Sequence, residues 1–189
     1  DANNGVINMG TLAVDGIIAL VTNGSGNATV VNDAGLTFAA STVGGNLAAT
    51  ATTGNMTDSG ALTIAGTSSF ATSASGADIT LNTTTNAFTG AVALNTTGNR
   101  GDATIDGGTT ALDIAASSVS GFLSLTSDHA SGITDSGTVT VGYYLTAKTE
   151  ANNGVINLDQ LAVSSDIFFG THGTGNATLV NASTFRIGV

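Results

Sequence analysis

The sharpest chemical motif in the sequence is the tripeptide Arg100-Gly101-Asp102. Animal integrins bind Arg-Gly-Asp in exposed loops, through a metal cation and an acidic pocket. Two other copies of the surrounding sequence, at 25–27 and 174–176, also have a central Gly, so the tripeptide equally fits a glycine corner altered by mutation. Arg100, Gly101 and Asp102 are the candidate adhesion residues, and an ordinary corner is the alternative.

Catalysis is not predicted from the distribution of ionisable residues. Polysaccharide-cleaving enzymes need clustered carboxylates and a basic group in a groove. The chain has a single Glu, Glu150, and a single Lys, Lys148, and the neighbouring carboxylates Asp102 and Asp106 have only Arg100 close by. We therefore expect no catalytic residues and no enzymatic activity.

Metal and cofactor sites are not predicted either. Calcium loops need clustered ligands, as in Asp-x-Asp-x-Asp or Gly-Gly-x-Gly-x-Asp patterns, and neither pattern occurs. The two histidines, His129 and His172, lie far apart beside Gly and Ser, whereas a metal site needs converging ligands. We expect no metal ligands and no cofactor.

The charge balance excludes two classes of partner. The formal net charge is −10, with 13 acidic residues against three basic ones, Arg100, Lys148 and Arg186. Three cations cannot form the basic surface that nucleic acids or anionic membranes require. No apolar stretch of about 18 residues is present, so membrane insertion as a helix is not expected either.

The elements that carry these residues repeat along the chain. Short apolar tripeptides framed by Gly, Asn, Ser and Thr recur about every 25 residues. They lie at 12–14, 36–38, 62–64, 92–94, 112–114, 139–141, 161–163 and 185–187. A period between 20 and 50 residues is typical of stacked solenoids.

A longer period of about 75 residues is superimposed on the short one. Residues 27–30, 102–105 and 176–179 are similar, and 2–8 matches 151–157 across 149 residues. We read three short units per long unit, and one solenoid over 1–189 built of repeats at approximately 2–76, 77–150 and 151–189. Since the sequence starts and stops within a repeat, we expect a fragment of a longer array.

The composition favours strands and corners over helices. Turn dipeptides of Gly and Asn separate short β-branched pieces, and the chain contains no Pro, which paired strands exclude. Three short strands and three corners per turn predict a triangular parallel β-helix of about eight coils. The alternative, a string of immunoglobulin-like sandwiches, would show turns every 8–12 residues and antiparallel alternation.

An ice-binding surface is a further alternative, because such surfaces present regularly spaced Thr to water. Thr-rich runs occur at 50–53 and 83–85. With the predicted 25-residue coil, however, the Thr positions do not align from coil to coil.

Four runs carry a family resemblance: GLTFAASTVGGNL at 35–47, DSGALTIAGT at 58–67, ADITLN at 77–82 and NAFTGAV at 86–92. This style of repeat, which extends over almost the whole chain, resembles the arrays of large filamentous-haemagglutinin-like proteins of bacteria. The resemblance implies a right-handed β-helical shaft, export by a two-partner or autotransporter route, and roles in adhesion, biofilm and cell contact.

The function that these observations favour is a non-catalytic structural and adhesive shaft, at the bacterial cell surface or outside the cell. Its expected partners are host or neighbouring cell surfaces, or other copies of itself. The alternative is a self-assembling extracellular filament or sheath subunit that stacks head to tail through open β-helix ends.

Overall fold

A computed structural model describes residues 4–184 and 186–187 of the chain. Within these residues the regular structure is 23 strands and no helix, and every pairing between strands is parallel. The strands are β1 (Ile7–Leu12), β2 (Ile17–Ile18), β3 (Ala28–Asn32), β4 (Leu36–Phe38), β5 (Ser41–Val43), β6 (Leu47–Ala51), β7 (Met56–Asp58), β8 (Leu62–Ile64), β9 (Ser68–Ser75), β10 (Ile79–Leu81), β11 (Ala87–Phe88), β12 (Val92–Thr97), β13 (Ala103–Asp106), β14 (Leu112–Ile114), β15 (Ser117–Val119), β16 (Leu123–Ser127), β17 (Ile133–Asp135), β18 (Val139–Val141), β19 (Leu145–Asn152), β20 (Ile156–Val163), β21 (Asp166–His172), β22 (Ala177–Asn181) and β23 (Arg186–Ile187). The predicted all-β parallel solenoid is confirmed.

Three parallel sheets run along the column. The first sheet contains β1, β3, β6, β9, β12, β14, β15, β17, β18, β20 and β22. The second contains β2, β4, β7, β10, β13, β16, β19, β21 and β23, and the third contains β5, β8 and β11. Between β3 and β12 each coil contributes one strand to each sheet, as the predicted triangular coil requires.

Alternation within each strand decides which side chains fill the interior. In β8, for example, Leu62 and Ile64 are buried and Thr63 between them is exposed. The period of two places alternate side chains on opposite faces of a strand. The interior is therefore a mainly apolar column, and each coil is stabilised by the coils on either side of it.

The coil is shorter than the tripeptide spacing predicts. Paired positions in successive coils lie 19 to 24 residues apart, which gives about nine turns of about 21 residues instead of eight turns of 25. The tripeptides are not equivalent positions, because 36–38 lies in the second sheet, 62–64 in the third and 92–94 in the first. Each of the three sheets contains triplets with inward-facing apolar residues. A step of 25 residues is longer than one coil of about 21, so it leads from a triplet in one sheet to a triplet in another.

The 75-residue repeat consequently spans about three and a half coils rather than three. Ala28 opens a strand of the first sheet, whereas its copy Ala103 opens a strand of the second. Ile7 and its copy Ile156, one double repeat later, both lie in the first sheet. Equivalent strands of successive repeats therefore lie in different sheets, on different sides of the column. Strands two repeats apart lie in the same sheet again.

The exchange of faces takes place at β12. Its residue Val92 pairs with Ile114 of β14, while Asn95 pairs with Ser118 of β15, so one long strand is followed by two short ones. The two rows of short strands join again at β20, which pairs with both β17 and β18.

Two asparagines in equivalent positions mark the same seven-coil period. Asn32 is fully buried, and its side chain exchanges hydrogen bonds with the backbone N–H and carbonyl of Val14 at 3.0 and 2.8 Å. Asn181 makes the same pair of contacts with Val163. Ala2 and Asn3 of the sequence match and Phe185 of the last tripeptide lie outside the described residues. The handedness and the division into three repeats stay predictions.

Candidate functional site

The predicted adhesion tripeptide lies at the corner between β12 and β13. Arg100 is exposed with a backbone φ of 61°, a left-handed conformation that non-glycine residues adopt uncommonly. Gly101 is buried, and Asp102 is partly exposed. The tripeptide is thus a tight corner on the side of the column and not a protruding loop.

The Asp102 carboxylate participates in the packing of one coil on the next. The backbone N–H of Asp102 donates to Oδ1 of Asp78 at 2.8 Å, and Oδ1 of Asp102 accepts from the N–H of Phe122 at 2.8 Å. One coil earlier, Oδ1 of Asn55 accepts from the N–H of Asp78 at 2.9 Å. We call this run of Asn55, Asp78 and Asp102 the corner ladder.

The same device recurs at a corner one half-coil away. Oδ1 of Asn27 accepts from the N–H of Asn46 at 2.8 Å, and Oδ1 of Asn46 accepts from the N–H of Thr67 at 2.9 Å. A corner bends the backbone away from the regular ladder, so a side-chain oxygen supplies the missing acceptor. Asn and Asp thus have a structural role at the corners, whatever else they bind.

The Arg100 guanidinium lies against aromatic rings of the following coils. Its central carbon is 4.5 Å from the centroid of the Tyr143 ring and 5.3 Å from that of Phe122. These distances are within the range of cation–π attraction. Arg100 is therefore held on the surface of the column, beside the rings.

Four aromatic residues form a surface that we call the aromatic ridge: Phe122, Tyr143, Tyr144 and Phe168. Phe122 stacks on Tyr144 with ring centroids 5.1 Å apart, and Tyr144 meets Phe168 edge to face at 6.0 Å. Sequence reasoning did not find this ridge. The available signal was the spacing of about one coil between Phe122, Tyr144 and Phe168.

A column of hydroxyl side chains lies beside the ridge on the second sheet. Its members are paired in register from coil to coil: Thr37, Thr57, Thr80, Thr104, Ser124 and Thr146. The expectation that Thr positions do not align between coils is therefore wrong for this face, because it used the 25-residue period. The next outward-facing column, two residues further along each strand, contains Asp106, Thr126 and Lys148. Because two of these three side chains are charged, the hydroxyl surface does not extend beyond one column in that direction.

Ionisable side chains are dispersed. Lys148 and Glu150 form an exposed ion pair, which raises the pKa of Lys148 and lowers that of Glu150. Nδ1 of His129 accepts from the N–H of Ser131 at 3.0 Å, within its own turn. No group of three or more His, Asp or Glu side chains converges anywhere in residues 4–184 and 186–187.

Asp106 is the carboxyl with a raised pKa. Burial has the largest effect, and the negative charges of Asp128, Glu150 and Asp58 act in the same direction. A hydrogen bond from the N–H of Gly108 to its Oδ1 at 2.7 Å partly opposes the increase.

This geometry defines a class of protein: a β-solenoid repeat protein whose coils pair in parallel about 21 residues apart. The chain belongs to the family described as repeats of unknown function (DUF5649), whose model matches residues 25–95 and 100–184. The two matches begin 75 residues apart, which is the step of the internal repeat. Neither the curated proteins nor the solved structures contain a match to the chain.

The described part of the chain has no helix of the length and apolar character needed to cross a membrane.

Proposed function

We propose that this chain forms part of the non-catalytic, adhesive shaft of a large bacterial cell-surface or secreted protein. The observation that carries the proposal is the uninterrupted parallel pairing from β2 to β23 along the second sheet. At about 4.8 Å per coil, nine coils extend roughly 40 Å. A column of this kind lengthens by adding coils, and it presents its side faces to the surroundings.

The resemblance to filamentous-haemagglutinin-like repeats supports the same reading. It adds an extracellular location, export by a two-partner or autotransporter route, and contact with host or neighbouring cells. The surface chemistry is compatible with this setting, since the net charge of −10 keeps such columns apart in solution. The proposal includes no enzymatic activity, no cofactor, and neither nucleic acid nor membrane insertion among its partners.

Location is tested on cells that express the intact parent protein. An antibody raised against this segment should label unpermeabilised cells or the culture supernatant, and external protease should remove the signal. An antibody against a cytoplasmic protein serves as the control. Labelling that requires permeabilisation would overturn the extracellular proposal.

The tripeptide Arg100-Gly101-Asp102 is the proposed contact for animal cells. Asp102→Glu and Asp102→Asn should each abolish integrin-dependent attachment to surfaces coated with the purified chain. Asp102→Asn keeps the side-chain oxygen that accepts from Phe122, so its loss of attachment would not reflect a broken corner. Asp78→Asn, one coil earlier in the corner ladder, is the matched control, and attachment equal to wild type in Asp102→Asn would remove the integrin role.

A self-assembling filament or sheath subunit is the second candidate. Exposed apolar side chains favour it: Val6, Ile17 and Val21 in the first coils are 61–74% exposed, and Val180 and Ile187 in the last coils are 54% and 59% exposed. Head-to-tail stacking of copies would cover both sets. Sedimentation velocity and electron microscopy of the purified chain distinguish filaments, which support this candidate, from discrete particles, which contradict it.

A further inference from the structure

A concavity of about 480 Å3 opens on the side of the column next to Tyr144. Its lining residues come from three consecutive coils: Tyr144, Ser164, Ser165, Asp166, Thr184 and Arg186. Tyr144 provides an aromatic wall, and all the other residues are polar. The concavity is separate from the corner at Arg100 and was not predicted from the sequence.

Register explains why these residues meet. Leu145 pairs with Ile167, so Tyr144 and Asp166 precede equivalent positions in adjacent coils, and Asp166 pairs directly with Arg186. Tyr144, Asp166 and Arg186 thus follow one another in a single outward column, which continues the corner ladder beyond Asp102 and Phe122. In this part of the column the side chains are the Tyr144 ring, the Asp166 carboxylate and the Arg186 guanidinium, in place of the Asn and Asp acceptors of the corner ladder.

Neighbouring rings fix the orientation of the Tyr144 side chain. Phe122 stacks against it with an interplanar angle of 25°, and Phe168 meets it at 88°. Even so, Tyr144 remains 40% exposed. A ring held in place but open to solvent binds a flat apolar surface with little loss of side-chain entropy.

The polar part of the concavity provides both donors and acceptors. Asp166 offers carboxylate oxygens, Arg186 offers guanidinium N–H groups, and the side chains of Ser164, Ser165 and Thr184 offer hydroxyls. Among the described residues, the side chains that form a salt bridge are Lys148 and Glu150. Asp166 and Arg186 form no salt bridge with each other there, so both charged groups remain available to a ligand. The formal charges of the concavity cancel, one negative against one positive.

We infer that this concavity binds an uncharged glycan. One face of a pyranose ring is lined with C–H groups that pack on an aromatic ring, while its hydroxyls need donors and acceptors at the edge. Tyr144 supplies the first, and Asp166, Arg186 and the hydroxyls supply the second. A polyanionic glycan does not fit, because Arg186 is the only cation of the concavity and the chain carries a net charge of −10.

The inference gives the proposed shaft a class of ligand and rests on the proposed function only for its adhesive role. Glycan binding is measured on the purified chain, whereas location is measured on cells. A failure of one is therefore distinguishable from a failure of the other.

The chain offers an internal reporter for the experiment. It contains no Trp and only two Tyr, Tyr143 and Tyr144, so its intrinsic fluorescence arises at the aromatic ridge alone. In Tyr143→Phe the signal comes from Tyr144 only. The probes are uncharged hexasaccharides of β-glucan and mannan, with a heparin hexasaccharide as the polyanionic comparison, and calorimetry provides an independent affinity.

We expect a saturable change in Tyr144 fluorescence with at least one uncharged hexasaccharide, and at least a tenfold weaker affinity in Tyr144→Ala and in Asp166→Ala. Val180→Ala, an exposed apolar position elsewhere, should bind like the wild type. If Tyr144→Ala loses its circular dichroism spectrum, Asp166→Ala and Arg186→Ala decide the question.

Four results would overturn the inference. The first is that no uncharged probe binds, and the second is that the heparin probe binds more tightly than the uncharged probes. The third is wild-type affinity in the Tyr144, Asp166 and Arg186 variants that remain folded. A dimer in sedimentation that dissociates in Tyr144→Ala would assign the surface to a second copy of the chain and would also overturn it.

Discussion

The carboxylate of Asp102 accepts a hydrogen bond from the backbone N–H of Phe122, 20 residues further along the chain and one coil higher in the column. The atom that an adhesion receptor would need is therefore also an atom that joins two coils. Any attachment through Asp102 would therefore be coupled to stability, and the choice of substitution separates the two effects.

Asp102→Ala should lower the free energy of unfolding by about 1–2 kcal/mol, because the N–H of Phe122 loses its acceptor. Asp102→Asn should change it by less than about 0.5 kcal/mol, since Asn55 fills the equivalent role two coils earlier in the ladder. Urea denaturation followed by circular dichroism measures both variants. Equal losses in the two would show that the charge, and not the hydrogen bond, is what matters.

Phe70→Ala should be the most damaging of the single core truncations, by about 3–5 kcal/mol. Phe70 is fully buried and makes edge-to-face contacts with both Phe38 and Phe88, at centroid distances of 6.4 and 6.0 Å. Truncation of its side chain leaves a cavity in the core and removes the contacts with both neighbouring rings. Phe122→Ala on the surface is the control in the same denaturation series, and an equally large loss there would contradict the argument.

Asp106 should make the protein less stable as the pH rises through its folded-state pKa. Burial raises that pKa above the ordinary value of 3.8, so the unfolded chain releases this proton at a lower pH than the folded chain does. Below the unfolded value both states are protonated and the effect is absent; above the folded value it is complete.

The matched variant is Asp106→Asn, which retains an acceptor for the N–H of Gly108. It should be more stable than the wild type at neutral pH and should lose that advantage below about pH 4. Thermal unfolding across the pH series measures the difference. An advantage that persists unchanged into acid would indicate a cause other than ionisation.

Gly132→Ala should prevent normal packing of the coil that contains β17. Gly132 has a φ of 66°, and a Cβ there would collide with the carbonyl oxygen of Val155 in the next coil. Gly170→Ala is the control, because the nearest atom to its Cβ would be Cγ of Lys148 at 4.0 Å. We expect a clear fall in melting temperature for the first and little change for the second.

The class of fold was predictable from the sequence because strand signals, Gly and Asn corners and repetition all agree. The length of the coil was not. Triplets such as Leu62–Ile64 and Val92–Leu94 share a pattern, since every face of the column needs inward-facing apolar residues, and the pattern does not say which face. Only the pairing of strands distinguishes a step along one face from a step to the next.

The candidate sites follow the same rule. Arg100-Gly101-Asp102 is contiguous and was visible at once. Tyr144, Asp166 and Arg186 are separated by about one coil each, so their proximity depends on a register that the 25-residue period misplaces. The alignment of Thr37 with Thr57 in the hydroxyl column was not predicted, because it depends on the same register. Their hydroxyl oxygens lie 3.0 Å apart.

The half-coil remainder of the 75-residue repeat has a consequence for valency. Whatever one repeat carries on its long-strand side, the next carries on the other side, and only the third returns to the first orientation. In a longer array of such repeats, equivalent side chains would lie in two rows on opposite sides of the column, so that a contact present in every repeat would be presented on both sides.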